Sequence, residues 1–251
     1  MSPIVISVEG NIGSGKSTII NKLKKKYNKI DGIKIVYVEE PVSQWEQIKN
    51  TEGKNMIELF YSDPVKYAFS FQMMAYISRL ILLKEAIKHN PDSVIITERC
   101  LLTDYNIFAS MLYEQGKMSE EEYTIYKTWF HYFQNEVVMS AVIYICCDPE
   151  ISHSRCVSRC RQGEQSISLD YLTECHNKHE TWMKNEQIST LFINNEELSD
   201  EHLEDVIFEI SDFISDELYM NNKDKNDPVK EFYIYTCFII FVCMFVTLFT
   251  K

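Results

Sequence analysis

Five short apolar runs punctuate the chain, at residues 4–8, 33–38, 93–97, 141–146 and 190–193, with longer stretches of helical spacing between them. Ile4, Val5, Ile6 and Val8 make the first of these, a β-branched run of buried-strand length. Strands that alternate with helices predict an α/β fold: a five-stranded parallel sheet flanked by helices. Between the second and third runs, residues 55–89 carry Phe69, Met73, Tyr76, Ile77 and Leu80 at helical spacing, and a second helical block follows at 104–132. No internal repeat or low-complexity tract interrupts this pattern.

The pattern changes after Leu218. Residues 221–230 (NNKDKNDPVK) are polar and contain Pro228, as a linker would. Residues 232–250 then run without a charge; as a helix they span about 28 Å, close to the hydrocarbon thickness of a bilayer. The expected organisation is a globular domain at 1–218, a polar linker at 219–231 and a C-terminal transmembrane anchor at 232–250. Lys223, Lys225 and Lys230 precede the apolar segment and Lys251 alone follows it, which keeps the domain on the cytoplasmic side. A buried terminal helix or an oligomer contact is the alternative, since Phe, Ile, Val and Thr form helices poorly in water.

A chain of 251 residues with 45% apolar content can bury one sizeable core. Its net charge of -12 opposes nucleic-acid binding. Eight cysteines without a cleavable leader suit a reducing compartment. Cys156, Cys160, Cys175, His176 and His179 match no usual zinc spacing, and arginines lie among them.

The chemistry concentrates at strand ends. Gly10, Asn11, Ile12, Gly13, Ser14, Gly15, Lys16, Ser17 and Thr18 join the first run to a helical stretch in a G-x-x-x-x-G-K-S pattern. Such a phosphate loop turns backbone N–H groups inward at a helix N-terminus, while Lys16 supplies a cation and Ser17 a Mg²⁺ ligand. The second run ends in Glu39-Glu40 and the third in Glu98-Arg99. A carboxylate placed there can take a proton from an attacking hydroxyl. Arg155, Arg159 and Arg161 crowd together after the fourth run, where planar guanidinium groups suit a phosphoryl group in transfer.

The string EGNIGSGKST, Glu40-Pro41-Val42-x-x-Trp45, Tyr61-x-x-Pro64 and Phe71-Gln72 resemble the deoxynucleoside kinase family. So do Glu98-Arg99, Asp104-x-x-Ile107-Phe108-Ala109-Ser110, the Arg155-x-x-x-Arg159-x-Arg161 lid and His176-x-x-His179-x-x-Trp182. The match is nearest to the deoxycytidine and deoxyguanosine kinase branch and covers about residues 3–215. The resemblance implies a P-loop kinase with an arginine-rich lid that transfers a phosphoryl group from ATP, with Mg²⁺, to the 5′-hydroxyl of a deoxynucleoside. It makes Glu40 the base, Arg99 its partner on the same oxygen, and Ser17 and Glu98 the groups attending Mg²⁺. Tyr61 and Glu164 would hold the 3′-hydroxyl, Gln72 the base edge, and Ile12, Trp45, Ile57, Phe71 and Phe108 the walls around the base. Lys16, Arg155, Arg159 and Arg161 would bind the donor phosphates. Arg79 and Asp104 match the branch that takes deoxycytidine and purine deoxynucleosides over thymidine. Family members are usually homodimers.

The sequence departs from the family at Cys100, where serine is usual, at Gly163 and Ser166 in the lid, and in its apolar tail. A thymidylate-type nucleoside monophosphate kinase and a membrane-bound, non-catalytic nucleotide-binding protein are the alternatives.

Overall fold

The computed structural model describes residues 3–159, 161, 167–197 and 199–225. The chain runs β1 (Ile4–Glu9), α1 (Lys16–Lys26), β2 (Lys29–Ile30), β3 (Ile33–Val38), α2 (Val42–Trp45), α3 (Met56–Ser62) and α4 (Pro64–His89). Next come β4 (Ser93–Glu98), α5 (Leu101–Thr103), a π-helical turn (Asp104–Ala109), α6 (Ser110–Glu114) and α7 (Glu120–Phe133). The order closes with β5 (Ala141–Cys146), α8 (Pro149–Arg159), α9 (Leu169–Asn185), β6 (Ser189–Asn194) and α10 (Asp200–Lys225).

All five expected strands form and pair in parallel, in the order β3-β4-β1-β5-β6. The unforeseen sixth strand, β2, pairs antiparallel with the start of β3 at the sheet edge. Two residues are too few to give an apolar run. Asp31 and Gly32 make the turn with φ of 49° and 80°, the left-handed pair that a two-residue hairpin demands. Every residue of β1 and β4 is buried, as helices on both faces require. Each fully covered isoleucine, such as Ile6, Ile95 and Ile96, contributes about 1.5–3 kcal/mol.

The helical stretch at 55–89 is two helices. Asn55 and Glu58 form a reciprocal capping box on α3, and Asp63 caps α4 with Pro64 in its first turn. The block at 104–132 is likewise divided, because Ser119 and Glu122 box the start of α7. The π-helical turn widens the backbone where Asp104 and Phe108 face the ligand cleft.

The chain divides into two compact units, 1–210 and 211–251. α10 continues to Lys225, so residues 219–225 at the start of the polar segment are helical. No helix among the described residues is long and apolar enough to cross a membrane. The apolar segment 232–250 lies outside the described residues, as does Glu164.

Candidate active site

The ends of β1, β3, β4 and β5 supply the site, as open parallel sheets favour. After β1 the loop turns through Gly10 and Gly13, with φ of 141° and 81°. A Cβ on Gly10 would come 2.4 Å from the Ile145 carbonyl oxygen, and one on Gly13 2.3 Å from that of Ser152. Glycine alone lets the loop lie this close to β5 and α8. Lys16 Nζ folds back to donate to the carbonyls of Gly10 (3.1 Å) and Asn11 (2.7 Å). Burial above all, and the nearby Arg99 charge next, pulls its ammonium down to about 7.

Ile12, Gly13, Gly15, Lys16, Ser17 and Thr18 line the cleft; Gly10, Asn11 and Ser14 do not. The last two brace the loop from behind. Asn11 Nδ2 donates to the Leu172 carbonyl at 2.8 Å, and Asn195 Nδ2 to that of Ser14 at 2.6 Å. Glu9, fully buried, accepts hydrogen bonds from Ser7 and from Thr103 Oγ1.

Ser17 Oγ donates to both Glu98 oxygens, at 2.9 and 3.1 Å. A hydroxyl and a carboxylate beside a phosphate loop are the hard oxygen donors that Mg²⁺ prefers, so these residues fit that ion. Arg99 follows with φ of 63°, a left-handed conformation costing a non-glycine residue about 1–2 kcal/mol. Its N–H bonds the Val8 carbonyl at 3.1 Å, prolonging the β1–β4 ladder and holding the strained residue in place.

That conformation aims the Arg99 guanidinium at Glu40, beyond β3. Arg99 Nη1 and Arg79 Nη2 each donate to Glu40 Oε1 at 3.1 Å, leaving Oε2 without a hydrogen bond among the described residues. Burial disfavours the Glu40 charge, but Arg99 and then Arg79 more than offset it and hold the carboxyl at about 2. Arg79 also donates Nε to Asp104 Oδ2 (2.9 Å) and Nη1 to the Glu98 carbonyl (2.8 Å). It is 2% exposed, so its fork geometry is fixed on three partners.

Beyond Glu40 the cleft has aromatic walls. Phe71 stacks on Phe60 at 4.5 Å and meets Trp45 edge-on at 5.8 Å. Trp45 is anchored through Nε1 to Ser78 Oγ (2.9 Å), while the Arg99 guanidinium lies 5.3 Å over the Phe108 ring. Ile57 and Tyr61 complete the wall, with Tyr171 edge-on to Tyr61 at 6.4 Å. Gln72 lines the cleft, and its buried Oε1 has no partner among the described residues. Phosphate loop and aromatic chamber form one cleft of about 740 Å³.

Arg155, Arg159 and Arg161 reach the same cleft. Arg155 has a further attachment: Nη1 donates to the Asn195 carbonyl (2.9 Å) and Nη2 to that of Glu196 (2.8 Å), tying α8 to the loop after β6. That link, Tyr171, Phe60 and the buried Glu9 were not singled out by sequence reasoning. Only the Glu9 position, next to the phosphate loop, carried a signal.

The chain is 33% identical to deoxycytidine kinase of Bos taurus over 241 residues, which is 84% of this chain and 90% of the relative. It is 32% identical to deoxycytidine kinase 1 of Xenopus laevis over 251 residues, 90% and 89% of the two chains. With the mitochondrial deoxyguanosine kinase of Xenopus laevis it shares 30% identity over 207 residues, 75% and 76% of the two chains. Residues 6–215 match the deoxynucleoside kinase family model, and the chain that arranges Lys16, Glu40 and Arg99 around one cleft belongs to the deoxynucleoside kinase family.

Proposed function

We propose that the protein transfers the γ-phosphoryl group of ATP to the 5′-hydroxyl of a deoxynucleoside, taking deoxycytidine or a purine deoxynucleoside in preference to thymidine, in nucleotide salvage. One observation carries the reading: Glu40, whose Oε2 has no hydrogen bond among the described residues, lines a chamber that opens onto the Lys16 loop. Oε2 accepts the hydroxyl proton while Arg99 steadies the acceptor oxygen. A carboxyl held at about 2 is a weak base, but a loose phosphoryl-transfer transition state needs placement more than basicity. Three acids, Glu40, Glu98 and Asp104, against Arg79 and Arg99 favour an uncharged acceptor over a monophosphate.

Gln72 and the Arg79–Asp104 pair present polar groups to the base edge, which a base unable to satisfy them leaves unpaired. Tyr61 and Glu164 hold the 3′-hydroxyl. Lys16, Arg155, Arg159 and Arg161 take the donor phosphates, with Ser17 and Glu98 at Mg²⁺, which neutralises phosphate charge. Ile77 and Ile81 on α4, with Ile125 and Trp129 on α7, leave exposed apolar surface that supports a homodimer. Residues 232–250 hold the enzyme at a membrane with its catalytic domain in the cytosol.

Parallel assays with a nucleoside and its monphosphate, using labelled ATP, test the reaction. Phosphorylation of the monophosphate alone overturns it. Equal partitioning of the full chain and a form ending at residue 231 in membrane fractionation overturns the anchor.

A further inference from the structure

The last residue of β5 and one face of α9 gather three side chains of metal-binding type outside the kinase cleft. Cys146 Sγ, a ring nitrogen of His176 and a carboxylate oxygen of Glu180 all lie within 4.8 Å of one another, and each residue is partly exposed. His176 and Glu180 are four residues apart in a regular helix, so they share a face. Their helix neighbours Cys175 and His179 turn inward instead: Cys175 Sγ contacts Met111 Sδ, and His179 Nδ1 bonds the Cys175 carbonyl.

The spacing already approaches coordination. Cys146 Sγ and Glu180 Oε1 are 3.7 Å apart, against about 3.6 Å for the thiolate and carboxylate edge of a tetrahedral zinc site. The remaining separations close by no more than about 1.4 Å, within reach of side-chain rotation. Tyr144 OH donates to Glu180 Oε1 at 3.0 Å, the kind of outer contact that orients a ligating carboxylate. Lys184 Nζ lies 3.3 Å from the other oxygen, Oε2, and at 72% exposure it can turn to water when a cation enters. The His176 ring makes no hydrogen bond with any described residue, so no protein partner has to be displaced from it.

We propose that Cys146, His176 and Glu180 bind one zinc ion, with water in the fourth position, and that the ion staples the end of β5 to α9. The soft thiolate and imidazole select zinc over Mg²⁺, which separates this site from the all-oxygen pair of Ser17 and Glu98. Binding deprotonates the Cys146 thiol, forming the Zn–S bond and releasing one proton to solvent. Because β5 leads directly into α8, the staple braces the strand end from which the arginine-bearing helix departs.

Cobalt(II) titration of the full chain reads the site directly. The expected result is a thiolate-to-cobalt absorption band that saturates at one equivalent, is displaced by zinc, and disappears in Cys146→Ser. Zinc at a hundredfold excess over its dissociation constant raises Tm by roughly 5 °C in the parent and not in the variant. His176→Gln and Glu180→Gln weaken the band by tenfold or more in affinity and serve if the serine variant folds poorly; far-UV circular dichroism and metal-free kinase activity report folding. Absence of the band, its persistence in Cys146→Ser, or undiminished affinity in both other variants overturns the proposal.

Discussion

Arg79 reaches Glu40 with one nitrogen, 3.1 Å from Oε1, while a second nitrogen holds Asp104 at 2.9 Å. The residue assigned to base discrimination therefore also bears on the group assigned to proton transfer. Removing this buried guanidinium strands Asp104, whereas Glu40 keeps its bond from Arg99.

Replacing Arg79 with alanine should lower stability by about 3–5 kcal/mol, visible as a Tm fall of roughly 10 °C. Arg79→Met with Asp104→Met removes both ends of that pair and should recover part of the loss. The double variant should also shift the kcat/KM ratio toward thymidine. A specificity panel with four deoxynucleosides measures this; an unchanged ratio would remove the pair from base selection.

Glu40→Gln keeps the shape of the side chain and deletes the proton acceptor. Its kcat should fall by about 10²–10⁴-fold while nucleoside affinity stays within a few fold. Steady-state kinetics beside calorimetric binding separates the two effects. Undiminished kcat would mean that Glu40 is not the base.

Burial pulls Lys16 down to about 7, and phosphate oxygens placed beside it should raise that value. Below pH 7 the ammonium is already charged and Lys16 takes up no proton on binding. Above pH 7 binding must take up a proton, so affinity should drop by up to about tenfold per pH unit. Calorimetry at pH 8 in buffers of different ionisation enthalpy reads the uptake, and Lys16→Arg should abolish it. Proton-neutral binding at pH 8 would contradict the shift.

Burial lowers His179 to about 3, against about 6.5 in an unfolded chain. Between those values the unfolded state binds more protons, so stability rises with pH across the window and is lost as pH falls from 6.5 toward 3. His179→Gln should flatten the slope of Tm between pH 6.5 and 4. A slope equal to the parent's would assign acid sensitivity elsewhere.

The strands and the phosphate loop were legible because their signals are local: contiguous β-branched residues, and glycines at fixed offsets before Lys16. Glu40 and Arg99 were legible as residues at strand ends and through the resemblance, but their shared geometry was not. The left-handed backbone of Arg99 and the convergence of two arginines on one oxygen arise only when β3, β4 and α4 pack together. β2 was missed although Asp31-Gly32 advertised a hairpin, because two residues carry no periodicity. Tyr171 had no local mark at all; α9 brings it to the cleft from outside every motif.

The ties from Asn195 to Ser14 and from Arg155 to Asn195 and Glu196 have a practical consequence. They fasten the Lys16 loop and α8 to the turn after β6, whereas the opposite chamber is furnished by α3, α4 and the π-helical turn. Arg79 bridges the two halves through Glu40 and the Glu98 carbonyl, so an engineer has a freer hand at Ile57, Phe71 or Trp45 than at that one guanidinium.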